Sequence, residues 1–268
     1  MIEKKYDSPR GTVAYWLYPN ANQNAKWVFF LHGLSADHTL FDPQVSVFTC
    51  KYNMIVWDAP AHALSRPYRD FSYANCAEDM KNILSNEGVE KAIFIGQSMG
   101  GYCIQAFLLR YSDMAEAFIA IDSCPFGTQY YSKSDLFWLR QVGWMSRLYP
   151  HSYYVETIAK SVGVMPSTQE NMRRALAYYS HPELCRLMGM GYLCFVKENQ
   201  DLKISCPTLI LVGEHDKTGK VLSYSKTWHA ATEFPFEIIP NAAHNANYDN
   251  PDAVNTLIDS FLNAPQEE

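Results

Sequence analysis

Short apolar runs alternate with amphipathic segments along most of the chain. One run alternates apolar and polar positions like a half-exposed strand, and six later runs are almost continuously apolar; in chain order they are TVAYWLY, KWVFFLHG, MIVWDAP, KAIFIGQS, AFIAIDS, PTLILVGEHD and FEIIPNAAH. Continuous apolar runs of this length are typical of strands that are covered on both faces. Helical periodicity is found at residues 73–85, 101–111, 220–230 and 252–262. This alternation predicts an α/β fold with a mostly parallel central sheet flanked by helices.

One interval, from residue 124 to residue 205, is far longer than a strand crossover, which needs only about a dozen residues. It contains helical patterns at 133–148, 153–162, 168–179 and 182–197, and we expect Ser167 and Glu170 to form a capping box at the third. We therefore predict a core made of residues 1–124 and 204–268, with a helical cap inserted at 125–203. The aromatic residues of this insert are expected to pack it against the core and to line an apolar pocket between the two.

Composition narrows the possible partners. The chain has 268 residues, 48% of them hydrophobic, so it can bury a large core. Its formal net charge of -6 argues against a protein that binds nucleic acid or anionic membranes. The first residues lack the apolar length of a signal core, no later window reaches that of a membrane span, and the seven cysteines are scattered singly. We expect a cytoplasmic protein that acts on a small molecule and has no metal site; the pattern does not indicate an oligomeric state.

The stretch IFIGQSMGGY contains the pattern G-x-S-x-G around Ser98. Alone the pattern is weak, since a chain of this length shows it by chance about one time in ten. Here an apolar run precedes it and a helical pattern follows it, which is the context that lifts a serine hydroxyl above the end of a sheet. Glycines on both sides of Ser98 permit the tight turn.

A serine hydroxyl becomes a strong nucleophile only when a base takes its proton and a carboxylate orients that base. Asp216 and His244 each follow a late apolar run, so the chain order is serine, acid, histidine. Two other carboxylates, Glu214 and Asp122, remain open as alternatives to Asp216. Further histidines at positions 32, 38, 62 and 215 are expected to have structural or hydrogen-bonding roles.

At this point the chain resembles the α/β-hydrolases, in particular single-domain serine hydrolases with a helical cap. The resemblance covers nearly the whole chain and is carried by FFLHGLSADHTLF, VWDAPAHALSRP, IGQSMGGYCIQAF, LVGEHD and AAHNANYDNP. By position it implies that Ser98 is the nucleophile, His244 the general base and then acid, and Asp216 the residue that orients the imidazole. It also implies an oxyanion hole formed by the backbone N–H groups of Leu34 and Met99. The resemblance implies no metal and no organic cofactor.

The chain departs from the family pattern at four positions. Ala61 and Ala63 replace glycines of the Pro-Gly-His-Gly loop, Gln97 replaces the common His before the nucleophile, and Ala243 replaces the Gly before the base. Alanine is strained at positive φ, so we expect the loop at 58–66 to follow a different path.

These observations predict a carboxylesterase-like serine hydrolase that cleaves a small, largely apolar ester, thioester or lactone through an acyl-enzyme on Ser98. Three alternatives remain. The same triad could serve a carbon-carbon bond hydrolase or a lyase, the acyl group could pass to an acceptor other than water, or the fold could serve as a ligand-binding receptor with slow turnover. Epoxide hydrolase and haloalkane dehalogenase chemistry is disfavoured, because in those relatives an aspartate occupies the position of Ser98.

Overall fold

A computed structural model describes residues 1–264 and contains one eight-stranded sheet. The strands are β1 (Ile2–Ser8), β2 (Gly11–Tyr18), β3 (Trp27–Leu31), β4 (Asn53–Trp57), β5 (Ala92–Gln97), β6 (Ala115–Ile121), β7 (Thr208–Gly213) and β8 (Phe236–Ile239). Their spatial order is β1-β2-β4-β3-β5-β6-β7-β8. Strands β3 to β8 pair in parallel, whereas β1 and β2 are antiparallel to their neighbours. The predicted fold class is confirmed.

Helices cover both faces of this sheet. Those that flank it are α1 (Asp42–Phe48), α2 (Tyr73–Asn86), α3 (Met99–Tyr111), α9 (Val221–Thr232), the short α10 (Ala246–Asp249) and α11 (Pro251–Asn263). Successive strand residues point to opposite faces, so Phe29 packs in the core with α2, α3 and α9 while Phe30 packs in the core with α1 and α11. Burial on both faces explains why these strands are continuously apolar.

A run of helices lies between β6 and β7, where the sequence predicted an insertion. Its helices are α4 (Lys133–Leu139), α5 (Val142–Met145), α6 (His151–Val162), α7 (Pro166–Leu176) and α8 (His181–Glu198). The predicted helix at 133–148 is wrong as a single element, because it is broken into α4, α5 and a 3-10 turn at Ser146–Leu148. The Cα of Gly143 in α5 lies close to that of Gly189 in α8, and this close crossing fixes the position of the short helix.

The predicted capping box at Ser167 and Glu170 is also wrong. Helix α7 begins at Pro166, so Ser167 already lies inside the helix and cannot act as its cap. Capping boxes form instead at the starts of α4, with Ser132 and Asp135, and of α8, with Ser180 and Glu183. The Glu183 carboxylate accepts from the backbone N–H and the hydroxyl of Ser180 at 2.8 and 2.6 Å.

Helix α8 is tied to the sheet-flanking helix α2. The Tyr73 hydroxyl donates to Gly191 O at 3.0 Å. The Glu198 carboxylate accepts from the N–H groups of Tyr73 and Ala74, which are free donors at the start of α2. These contacts hold α8 over the carboxyl ends of the strands. The division of the chain into a core and a cap stays a prediction. Within residues 1–264, no helix is both long and apolar enough to cross a bilayer.

Candidate active site

Ser98 lies on a strained turn between β5 and α3. Its backbone has φ 48° and ψ -113°, a conformation that residues with a side chain rarely adopt. The Ser98 N–H donates to Ile121 O at 2.8 Å, which anchors the turn to the neighbouring strand. The turn therefore presents the hydroxyl at the carboxyl edge of the sheet, where α/β proteins bind their ligands.

The glycines around Ser98 are required by close packing. A Cβ at Gly100 would collide with the Leu31 carbonyl group of β3. A Cβ at Gly96 would lie 2.6 Å from the backbone nitrogen of Gly101, on the other side of the turn. Helix α3 can thus start directly against β3 and β5 only because these positions lack side chains.

Three predicted side chains meet at this edge. His244 Nε2 lies 2.9 Å from Ser98 Oγ, and His244 Nδ1 lies 2.8 Å from Asp216 Oδ2. With Nδ1–H donating to the carboxylate, Nε2 is left to accept from the serine hydroxyl. His244 and Asp216 are 6% and 8% exposed, so water competes little for these hydrogen bonds. The arrangement can remove the Ser98 proton and hold the resulting imidazolium beside a carboxylate.

The two alternative acids lie elsewhere. Asp122 is fully buried and accepts from Gly213 N at 2.7 Å and from Ala246 N at 3.0 Å. Burial raises the pKa of Asp122 well above its usual range, and the nearby charge of Asp216 raises it further. Glu214 is half exposed and accepts from Asn241 N. Asp216 is thus the predicted carboxylate that contacts the imidazole.

The two predicted oxyanion amides are free to bind a ligand. Across residues 1–264 the Leu34 N–H, in the loop after β3, donates to no protein acceptor. The Met99 N–H is the first of helix α3, a position that has no acceptor within a helix. Both residues line the same cavity as Ser98 and His244.

This cavity has a volume of about 100 Å³ and lies between the strand ends and helix α8. Tyr192 and Phe195 of α8 face the site residues across it. A larger and more open groove of about 420 Å³ lies between the loop at Ala61 and α8, but none of the three predicted catalytic side chains lines it. The small cavity therefore holds the candidate site.

Known proteins resemble this chain in sequence and in fold. The sequence model of the alpha/beta hydrolase fold family matches residues 26–154, which include Ser98 and Leu34. A 3-oxoadipate enol-lactonase from Acinetobacter baylyi is 34% identical over 82 residues, which span 31% of each chain. An sn-1-specific diacylglycerol lipase from Mus musculus is 24% identical over 247 residues, covering 88% of this chain and 80% of its own. The structure of a thermophilic esterase from Thermogutta terrifontis superposes with a TM-score of 0.77 at 21% identity, covering 98% of both chains.

Residues 26–154, just under half of the chain, thus match the α/β-hydrolase fold family. The family match and the full-length likeness in fold confirm the predicted superfamily. They also confirm the prediction of an enzyme, a hydrolase, since the relatives are named as hydrolases of several kinds.

The loop at 58–66 contains Ala61 and Ala63, the two alanines that replace glycines of the family pattern. Ala61 and Ala63 have φ values of 66° and 36°, so both adopt the left-handed backbone conformation. The sequence analysis expected the loop to avoid this conformation by following a different path. Hydrogen bonds fix this conformation, because Ala63 N donates to the Tyr179 hydroxyl at 3.0 Å and Ser65 Oγ donates to Asp58 O at 2.6 Å. The loop therefore keeps positive φ at both positions, at some cost in backbone strain.

Two residues that position the base were missed by the sequence analysis. Gln97, noted only as a departure from the family pattern, donates from Nε2 to His244 O at 2.6 Å. Asp249 accepts from Ala243 N at 2.8 Å and from two amides just before α7, Val164 N and Met165 N. Gln97 and its partner are 147 residues apart, and two of the three Asp249 partners are 85 and 84 residues away, so no local motif could have identified these contacts.

The remaining histidines near the site are engaged in structural hydrogen bonds. His32 Nδ1 donates to Gly33 O and its Nε2 accepts from Ala59 N. His62 lies 2.9 Å from Pro60 O, and burial lowers its pKa to about 3, so the ring is neutral. His38 contacts Asp58 at 2.8 Å.

Proposed function

We propose that this α/β-hydrolase is a serine hydrolase that cleaves a small, largely apolar ester, thioester or lactone through an acyl-enzyme on Ser98. One observation carries the proposal: the chain of hydrogen bonds from Ser98 through His244 to Asp216 opens onto a cavity that two free backbone amides share. We infer further that residues 1–124 and 204–268 act as the catalytic core and residues 125–203 as a cap.

The first half of the reaction forms the acyl-enzyme. Ser98 Oγ attacks the substrate carbonyl carbon while His244 Nε2 accepts the hydroxyl proton. The N–H groups of Leu34 and Met99 donate to the oxygen that becomes negative. Because they are held by the backbone, they stabilise this charge without reorganising. The imidazolium then gives its proton to the leaving alcohol, thiol or ring oxygen, and the acyl group stays on Ser98.

The second half repeats the sequence with water as the nucleophile. His244 deprotonates the water, the same amides receive the second oxyanion, and the proton returns to Ser98 as the acid departs. Asp216 keeps Nδ1 protonated throughout and stabilises the imidazolium charge.

The size of the cavity supports a small substrate. Pockets for drug-sized ligands have volumes of about 300–1,000 Å³, whereas this cavity measures about 100 Å³. Its lining is mainly aromatic and aliphatic, with Tyr102, Leu139 and Phe195 among the contacts. We place the enzyme in a reducing compartment, the cytoplasm, because all seven cysteines are free.

The proposal is tested by pre-steady-state hydrolysis of p-nitrophenyl acetate and butyrate. We expect a burst of nitrophenol equal to the enzyme concentration, followed by steady turnover, and loss of both in Ser98→Ala. Ser46→Ala, which removes an exposed hydroxyl on α1, serves as the matched control and is expected to behave as wild type. A wild-type protein that binds small molecules tightly but shows no burst and no turnover would instead support the receptor alternative.

A further inference from the structure

The cavity in front of Ser98 is lined by five tyrosine rings. They are Tyr73, Tyr102, Tyr131, Tyr192 and Tyr224. A tyrosine hydroxyl in a protein interior normally has a hydrogen-bond partner, because an unmade hydrogen bond costs free energy there. The partner of each hydroxyl therefore shows whether it serves the fold or is available to a ligand.

Four of the five hydroxyls lie next to a polar group of the protein. Tyr73 donates to Gly191 O at 3.0 Å and Tyr131 donates to Pro125 O at 2.6 Å, while the Tyr102 hydroxyl interacts with the Cys124 thiol and the Tyr224 hydroxyl with the Asp135 carboxylate. These hydroxyls hold the walls of the cavity in place.

The Tyr192 hydroxyl is different, since it has no hydrogen-bond partner among residues 1–264. Burial raises the pKa of Tyr192, and the side chains of Cys124 and Asp216 raise it further, so the hydroxyl stays protonated at neutral pH. Tyr192 itself lines the cavity that also contains Ser98, His244 and Cys124. Tyr192 thus offers an unused donor in the cavity that contains the candidate nucleophile.

The position of Tyr192 is fixed by its neighbours in α8. A Cβ at Gly191 would lie 2.7 Å from Leu34 Cδ1, so the helix backbone packs directly on the residue that carries one oxyanion amide. The Tyr73 hydroxyl binds Gly191 O, and the crossing of Gly189 with Gly143 holds the preceding turn. The Tyr192 ring, which directly follows Gly191, is therefore held at a defined position relative to Leu34.

We propose that the Tyr192 hydroxyl donates a hydrogen bond to a substrate oxygen other than the scissile carbonyl oxygen, and so selects substrates that carry such an acceptor. The scissile oxygen is served by the amides of Leu34 and Met99, which leaves Tyr192 for an ether, hydroxyl, carboxylate or second carbonyl oxygen a few atoms away. The inference rests on the proposed function and refines it: the substrate is small and largely apolar, but has one hydrogen-bond acceptor in a defined place. Tyr192 is a specificity-determining residue in this account.

Matched substrates that differ by one oxygen test the proposal. On the acyl side, kcat/KM is measured for p-nitrophenyl butyrate, for its isostere p-nitrophenyl methoxyacetate, and for p-nitrophenyl 3-hydroxybutyrate. On the alcohol side, butyl acetate is compared with 2-methoxyethyl acetate. The kcat/KM of each oxygenated substrate is divided by the kcat/KM of its alkyl partner. This ratio in Tyr192→Phe is then divided by the same ratio in wild type, which cancels the intrinsic reactivity of the ester.

In Tyr192→Phe we expect at least one of these ratios to fall about tenfold, the effect of one lost hydrogen bond to a bound acceptor. The alkyl esters should be affected little, since the ring remains. Tyr131→Phe is the control, because it removes a hydroxyl that lines the same cavity but is already bound to Pro125 O; its ratios should stay unchanged.

Unchanged ratios in Tyr192→Phe, or an equal fall in Tyr131→Phe, overturn the proposal while leaving the serine mechanism intact. Failure of the wild-type protein to hydrolyse any of the esters contradicts the proposed function and this inference together. The two kinds of failure are therefore distinguishable in one data set.

Discussion

Replacing Asp216 by asparagine removes one negative charge next to the imidazole and changes the shape of the side chain very little. Asp216 Oδ2 lies 2.8 Å from His244 Nδ1, which places the charge centres of the carboxylate and the imidazolium about 4 Å apart. At an effective dielectric constant of about 20, this separation is worth about 4 kcal/mol. The charge pair exists in full only while His244 holds the serine proton, so most of this energy belongs to the transition state. We therefore expect kcat to fall about a thousandfold in Asp216→Asn.

Asp122→Asn is the matched control, since Asp122 is a second buried carboxylate at the same edge of the sheet. It accepts from two backbone amides and does not contact His244. Replacing one of its oxygens by an NH2 group leaves a buried donor without an acceptor, which costs about 1–3 kcal/mol of stability. Asp216→Asn should therefore show the larger loss of kcat, and Asp122→Asn should show the larger loss of unfolding free energy.

The assay combines steady-state hydrolysis of p-nitrophenyl butyrate with urea unfolding followed by tryptophan fluorescence. The reasoning is refuted if Asp216→Asn keeps kcat within about tenfold of wild type, because the charge pair would then contribute less than about 1.4 kcal/mol. It is refuted equally if Asp122→Asn shows the larger loss of kcat at wild-type stability, since that result would make Asp122 the functional acid.

Three further predictions concern positions around the site. Gly100→Ala places a methyl group against the Leu31 carbonyl; we expect a loss of about 1–3 kcal/mol in urea unfolding together with a fall in kcat, and unchanged stability would contradict the packing argument. Burial alone would lower the pKa of His38, but its hydrogen bond to Asp58 raises the pKa above its ordinary value of 6.5. The stabilisation by His38 is thus complete below pH 6.5 and lost as pH rises through the folded-state pKa, so wild type should lose more unfolding free energy above pH 6.5 than His38→Gln, and parallel pH profiles would argue against it. Asp249→Ala leaves three backbone amides without their acceptor; it should cost about 1–3 kcal/mol in urea unfolding, and a wild-type midpoint would count against this role.

The strands that the sequence predicted well are those buried on both faces. In β3 to β7 nearly every position is buried, so the apolar runs are continuous and easily recognised. Strand β1 was missed because it lies at the edge of the sheet, where the run IEKKYDS alternates between half-buried and exposed positions and carries four charges. Helix α1 was missed because its seven residues are too few to show a helical period.

The candidate site was predictable to the extent that its chemistry is tied to local motifs. Ser98 lies in a strand-turn-helix pattern, and Asp216 and His244 each follow a strand. Because the strands are parallel, all three residues were expected at the same edge of the sheet. The choice between Asp216 and Asp122 could not be made from the sequence, since both follow strands that end at this edge; it depends on which carboxylate the imidazole reaches.

The break between α4 and α5 shows a different limit. The segment 133–148 has enough helical periodicity to predict one helix, but Gly143 packs against Gly189, far away in sequence. Tertiary packing of this kind overrides local propensity. The unbonded hydroxyl of Tyr192 was equally invisible in the sequence, because it depends on which residues surround it in the folded cavity.

The central claim is that Ser98 is the nucleophile and that His244 activates it, and covalent labelling tests this most directly. The protein is incubated with a fluorophosphonate, digested, and the modified residue is mapped by mass spectrometry in wild type, Ser98→Ala and His244→Ala. We predict a single phosphonyl adduct on Ser98, no adduct in Ser98→Ala, and labelling in His244→Ala too slow to observe on the wild-type time scale. An adduct on another residue, or labelling of Ser98 at the same rate without His244, would contradict the account.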